Sequence, residues 1–234
     1  MDKELSTKIS FLSFWLMLMV LMIHCINIDD NISVIGDGVW VLEKVISYNL
    51  CGIAVPLFFF ISGYLFFVKI DIKLGVTLSV FKEKIGKRIK TLFVPYLFWC
   101  TFWYFFLFLT QLIPDFSYLF SSPLHKMSIG NQFLNLFLEP VNYPFWFLRE
   151  LILYVIITPI FYVAIKHLRL IPILLLFSIS IFQKSALNLF NVELFQYWTM
   201  FFFALGMYSS MFKINLKNKL KNQYNLILLT CWFS

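Results

Sequence analysis

Along this chain apolar residues come in blocks of about 20, with most charges in the gaps between them, the pattern of helices that cross a bilayer. The blocks run from Ile9 to about Ile28, Leu50 to Val68, Thr91 to Ile113, Phe145 to Ile165, Leu170 to about Phe182, and Leu194 to Phe212. They predict an all-α, polytopic transmembrane bundle of six complete spans in a single domain, the fifth being short. A further run, residues 226–233 (LILLTCWF), is too short to cross a membrane that needs about 20 residues, so a seventh span begins and is incomplete. The first block is too long and too poor in small cleavage-site residues for a secretory signal peptide. It reads as an uncleaved span.

Composition agrees with the blocks. Of 234 residues, 61% are hydrophobic and 13% charged, well under the roughly 25% charged residues of a soluble domain. The net charge of +7 would raise the question of nucleic acid in a soluble chain. Here the cations sit in short loops, so no nucleic-acid partner is expected and membrane lipid is. Lys69, Lys73, Lys82, Lys84, Lys87, Arg88, Lys90, Lys166, Arg169, Lys213, Lys217, Lys219 and Lys221 fall in alternate loops, against Lys44, Lys126 and Lys184 in the others. Thirteen against three predicts a cell-membrane protein whose N-terminus and basic loops are cytoplasmic. The outer loop from Pro114 to about Pro144 is long and carries an apolar stretch, Phe133 to Leu138, that suits an interfacial or re-entrant helix.

Four cysteines, Cys25, Cys51, Cys100 and Cys231, lack metal-site or redox-pair spacing, so no metal is expected. Cys25 and Cys51 both fall near the outer face; pairing and packing as small apolar residues are both open readings. No internal repeat, phosphate-binding glycine loop or GxSxG elbow is present.

Polar residues inside apolar blocks are costly and therefore informative. His24 lies fifteen residues beyond Ile9, roughly 22 Å up a span that enters from the cytoplasm. Arg149 lies six residues past Tyr143, roughly 9 Å below the outer end of its span. The two can therefore occupy one layer. Each also has a plain structural reading, as an interfacial imidazole and as a snorkelling anchor beside an aromatic belt. In VPLFFFISGY, residues 55–64, Pro56 and the Ser62–Gly63 pair loosen the helical ladder, which lipid tolerates only beside other helices or a polar cavity. Gly63 suits tight helix packing, and Ser62 can present a hydroxyl. In KEKIGKRIK, residues 82–90, helical spacing groups Lys84, Lys87 or Arg88, and Thr91 on one side. Such a run marks topology and headgroup contact, or holds the phosphates of a nucleotide-bearing cosubstrate.

Taken in order, these elements resemble the acyltransferase 3 family of integral membrane acyltransferases, which includes O-acetyltransferases of cell-surface polysaccharides. The resemblance is carried by a first span ending near His24, the FFxxSG run Phe58 to Gly63, the basic KRIKTLFVPYLFW run, and PFWFLRELILYVIITPIFY, and extends over Ile9 to Tyr162. It implies an acyl-CoA cosubstrate, usually acetyl-CoA, reached from the cytoplasm, and a sugar hydroxyl as acceptor on a glycan or lipid-linked sugar. It also implies that His24 is the family's first-span histidine, Ser62 and Gly63 its SG pair, and Lys87 and Arg88 its basic motif. With Lys84, these residues are the expected cofactor-binding set. Many members carry an arginine on the first span where this chain has Ser13. Arg149 is the substitute cation on grounds of depth, making His24 and Arg149 the expected catalytic pair. Members also have more spans than this chain, which reads as C-terminally truncated. The competing readings are a glycan transporter or flippase, which should show paired broken helices or a pseudo-repeat, and an inactive, truncated family member.

Overall fold

The computed structural model describes residues 3–25, 45–70, 75–113, 124–182, 185–189 and 192–213. Seven α-helices dominate: α1 Lys3–Cys25, α2 Ala54–Phe67, α3 Leu78–Leu112, α4 Ile129–Phe137, α5 Trp146–Leu168, α6 Ile171–Phe182 and α7 Tyr197–Met211. Short helical turns, Val45–Leu50 with Cys51–Ile53, Leu124–Lys126 and Tyr143–Phe145, lead into α2, α4 and α5. Residues 26–44, 71–74, 114–123 and 214–234 lie outside the described set, and with them the end of the first apolar block, the run 226–233 and several loop lysines.

Among the described residues three helices are long and apolar enough to cross a membrane: Lys3–His24, Leu78–Leu112 and Trp146–Leu168. The segments Cys51–Phe67 and Ile171–Phe182 are shorter apolar helices, and α7 has 15 residues. Six complete spans are therefore not reproduced among the described residues. One departure from an all-helical chain has a clear cause. Leu194 to Gln196, read from hydropathy as the start of the sixth span, belong to strand β2, Val192–Gln196, which pairs antiparallel with β1, Ser185–Leu189. A short apolar run does not distinguish strand from buried helix, and here a neighbouring segment supplies the backbone partners.

The tightest packing joins α2 and α7. A Cβ on Gly63 would stand 2.1 Å from the Phe203 carbonyl oxygen, and one on Gly206 2.0 Å from that of Phe60. Two glycines thus face each other's partner backbones, the small-residue contact that membrane helices use when there is no water to drive them together. Around this crossing lies an aromatic core. The Phe59 ring meets Phe147 at 4.8 Å and Tyr154 at 5.5 Å, while Phe67 stacks on Tyr162 and both contact Phe81. Helix α1 rests on α2 and the turns before it, and α6 lies against α7 and α5.

Helix α3 overshoots its neighbours. Its 35 residues extend about 52 Å, against a hydrocarbon layer of about 30 Å. The expected span was Thr91 to Ile113, but α5 packs beside Phe81, Tyr96 and Cys100, through Tyr162 and Ile152. Hydropathy marks the apolar stretch of α3; packing marks a segment displaced towards its basic start. The rest of α3 is covered on one side by the 124–138 segment. The Gln111 side-chain oxygen accepts from Leu124 N–H at 2.6 Å, Tyr104 donates to Gln132 at 3.2 Å, and Tyr96 donates to the Phe137 carbonyl at 2.7 Å. Residues 124–138 therefore run back along roughly 22 Å of α3. Ser128 caps α4 by accepting from Asn131 N–H, which starts the helix there.

Helices α5 and α7 both end on cations in left-handed backbone. Arg169 has φ 57° and ψ −116°, and Lys213 has φ 47°. These positions ordinarily favour glycine.

Candidate active site

The first turns of α5 carry two consecutive buried charged residues, Arg149 at 8% exposure and Glu150 at 0%. Neither is a snorkelling anchor. The Arg149 terminal nitrogens donate to the carbonyls of Leu138, which caps the C-terminal end of α4, and Glu193 in β2. A guanidinium suits this place because it offers several donors in a fixed fork and meets the negative end of a helix dipole. Its Nε has no partner among the described residues.

Glu150 points to the other side of this junction. Its Oε2 accepts from Thr199 at 2.8 Å and is 3.1 Å from the Tyr154 hydroxyl. The two hydroxyls lie 2.7 Å apart, and both also reach the Gln196 carbonyl. Two hydroxyl protons thus serve two acceptors, one on α5 and one at the start of α7. Among the described residues Glu150 Oε1 is buried without a partner, as is Ser62 Oγ one turn from Phe59 on α2. Glu150 and Tyr154, four residues apart in an apolar helix, were a legible signal of a polar site; Thr199 and Gln196 were not, because nothing local marks them.

The expected pair is not brought together. His24 is exposed in the last turn of α1, and no hydrogen bond or ion pair joins it to Arg149 among the described residues. Helix α1 lies on α2, while α5 packs with α3, α6 and α7 and meets α2 through Phe147, Tyr154 and Tyr162. The Cys25 side chain and Cys231 lie outside the description, while Cys51 and Cys100 are free and buried.

The basic run divides by helical face. Lys84 and Arg88, four residues apart, are half-buried towards the bundle, and Lys87 and Thr91 are exposed. Lys84 Nζ donates to the Phe66 carbonyl at 2.7 Å and lies over the Phe66 ring at 5.7 Å. It therefore caps the last turn of α2, whose carbonyls lack helical partners. Lys87 pairs with Glu83 on the exposed side, and the Thr91 hydroxyl donates back to its own helix. Arg88 alone of the expected cofactor cations has no side-chain partner among the described residues. Gly63 is occupied by the α7 crossing, which leaves Ser62 as the member of the SG pair with a free polar group.

Among the described residues no three of His, Cys, Asp and Glu gather to hold a metal ion. No curated protein and no solved structure matches the chain. Residues 8–234 match the acyltransferase 3 family model, an acyltransferase domain, so this largely helical chain with three membrane-length apolar helices belongs to that acyltransferase family.

Proposed function

We propose that the protein is an integral cell-membrane O-acyltransferase that moves an acyl group, acetyl in the first instance, from acyl-CoA to a hydroxyl of a cell-surface or lipid-linked sugar. The observation that carries this reading is the family match over residues 8–234. The excess of Lys and Arg in alternate loops supports a cytoplasmic N-terminus and six crossings. That arrangement puts the basic run on the donor side and His24 towards the acceptor side.

In the proposed reaction the imidazole of His24 takes the proton of the sugar hydroxyl as its oxygen attacks the thioester carbonyl carbon. The carbonyl π electrons move to oxygen, and the resulting oxyanion collapses with cleavage of the C–S bond. The proton passes to the departing thiolate, so that the products are the sugar ester and free coenzyme A. His24 is exposed and makes no hydrogen bond among the described residues, which suits a group that meets substrate. Arg149 serves the site by holding the end of α4 to β2 through the Leu138 and Glu193 carbonyls. Arg88 holds coenzyme A phosphate, with Lys87 contributing charge at the rim and Ser62 a hydroxyl along the path. Lys84 and Gly63 serve this path by fixing α2, through the Phe66 carbonyl and the α7 crossing.

The test is mass spectrometry of envelope glycans from cells carrying the gene, lacking it, or carrying His24→Ala at equal protein abundance. Loss of one acyl mass in the last two is expected. Undiminished acylation in the His24→Ala cells would sink the reading. Loss of glycan export with acylation intact would assign transport instead.

A further inference from the structure

A second set of cations, outside the 82–90 run in sequence, lies on the last turn of α5, the α5–α6 turn and the end of α7. The Arg169 guanidinium lies over the Phe212 ring at 4.8 Å, and Phe212 packs on Tyr208 at 4.7 Å between centroids. Lys166, one turn earlier, sits over Tyr162 at 5.6 Å, and Lys213 follows Phe212 in the chain. All three cations are exposed. Among the described residues no carboxylate pairs with them and no acceptor takes their side-chain protons. A guanidinium held over an aromatic face with no other acceptor keeps N–H donors free, and such donors can bind a phosphate through two parallel bonds.

The backbone adds an independent sign. At φ 57° and ψ −116°, Arg169 holds the conformation of the first central residue of a type II′ turn, where glycine is the ordinary choice. A side chain kept in a conformation unfavourable to it points to a use for that side chain. We propose that Arg169, with Lys166 and Lys213, forms a phosphate-binding site at this corner of the bundle, distinct from the Lys84 to Arg88 run. The phosphate comes either from a nucleotide such as coenzyme A or from an anionic phospholipid headgroup. The site does not depend on the acyl-transfer reading.

The sign of one substitution separates this role from simple anchoring. Arg169→Gly relieves the backbone and removes the guanidinium; if the arginine is only an anchor on Phe212, the variant melts lower than wild type. The full chain is placed in phosphatidylcholine nanodiscs, and melting is followed alone, with added coenzyme A, and with part of the lipid replaced by phosphatidylglycerol. We expect one of the two probes to raise the melting temperature of wild type by more than that of Arg169→Gly, and which one does so identifies the source of the phosphate; any rise left in the variant belongs to the Lys84 to Arg88 run. Melting of Arg169→Gly without probe is not lowered. Equal rises in variant and wild type with both probes, or no rise with either probe in wild type, overturn the proposal. Should Arg169→Gly melt lower without probe or fail to yield folded protein, Lys166→Gln decides. A smaller rise than wild type supports the site, and an unchanged rise overturns it.

Discussion

At the Arg149 end of the bundle, charge is buried and spent on holding protein: one guanidinium bridges α4 to β2, and one carboxylate ties α5 to the start of α7. At the Arg169 end, cations lie on aromatic rings with their outer edges exposed, and no carboxylate answers them among the described residues. The contrast follows from solvent. A buried charge must find partners within the fold, and once it has them its removal exposes them unpaired. An exposed cation keeps its hydration and remains available to an anion that arrives later. Burial thus separates the structural cations from the available ones better than charge or motif does.

The comparison breaks first at Arg149. Arg149→Ala should cost about 3 kcal/mol, since two carbonyls lose a charged donor that is itself buried, and should loosen α4 from the bundle. Urea or thermal melting in detergent, with protease cleavage in the 124–138 segment, checks both effects; unchanged melting would mean that the guanidinium is not holding these carbonyls. Glu150→Ala comes next, at about 2 kcal/mol, because the hydroxyls of Tyr154 and Thr199 retain the Gln196 carbonyl and each other. Glu150→Gln, which keeps an accepting oxygen, should restore most of that loss in the same melt. At the other end Lys84→Met should cost about 1 kcal/mol, the loss of one helix-end contact and one cation–ring contact. Smallest of all, Lys87→Ala should leave the melting temperature unchanged, since its pair with Glu83 is exposed. A drop there comparable to that of Arg149→Ala would erase the distinction between the two ends.

Much of this is legible in the amino-acid sequence. Arg149 announced itself as a cation inside an apolar block, because such residues are expensive wherever they occur. Its partners did not, since the Leu138 and Glu193 carbonyls look like any others until the chain is folded. The aromatic and glycine content of VPLFFFISGY marked a packed helix, but not that Gly63 would meet Phe203 across from Gly206. Hydropathy found the apolar part of α3 but not that α5 packs from Phe81 to Cys100, because an average over a window carries no information about neighbours. The β1–β2 hairpin was hidden for a related reason: its strands are as apolar as a short helix, and the choice rests on a pairing partner.

The sequence by itself determined the class of protein, the helices and the family, since each follows from local composition and order: apolar blocks, helical spacing and short motifs. Only the tertiary structure decided which cations are already in use. Lys84, Lys87 and Arg88 are near neighbours in one motif, yet the first caps α2, the second pairs in solvent and the third has no partner among the described residues. Hydrogen-bond partners are assigned by distance in space, and the carbonyl that takes Lys84 lies eighteen residues away along the chain, on another helix.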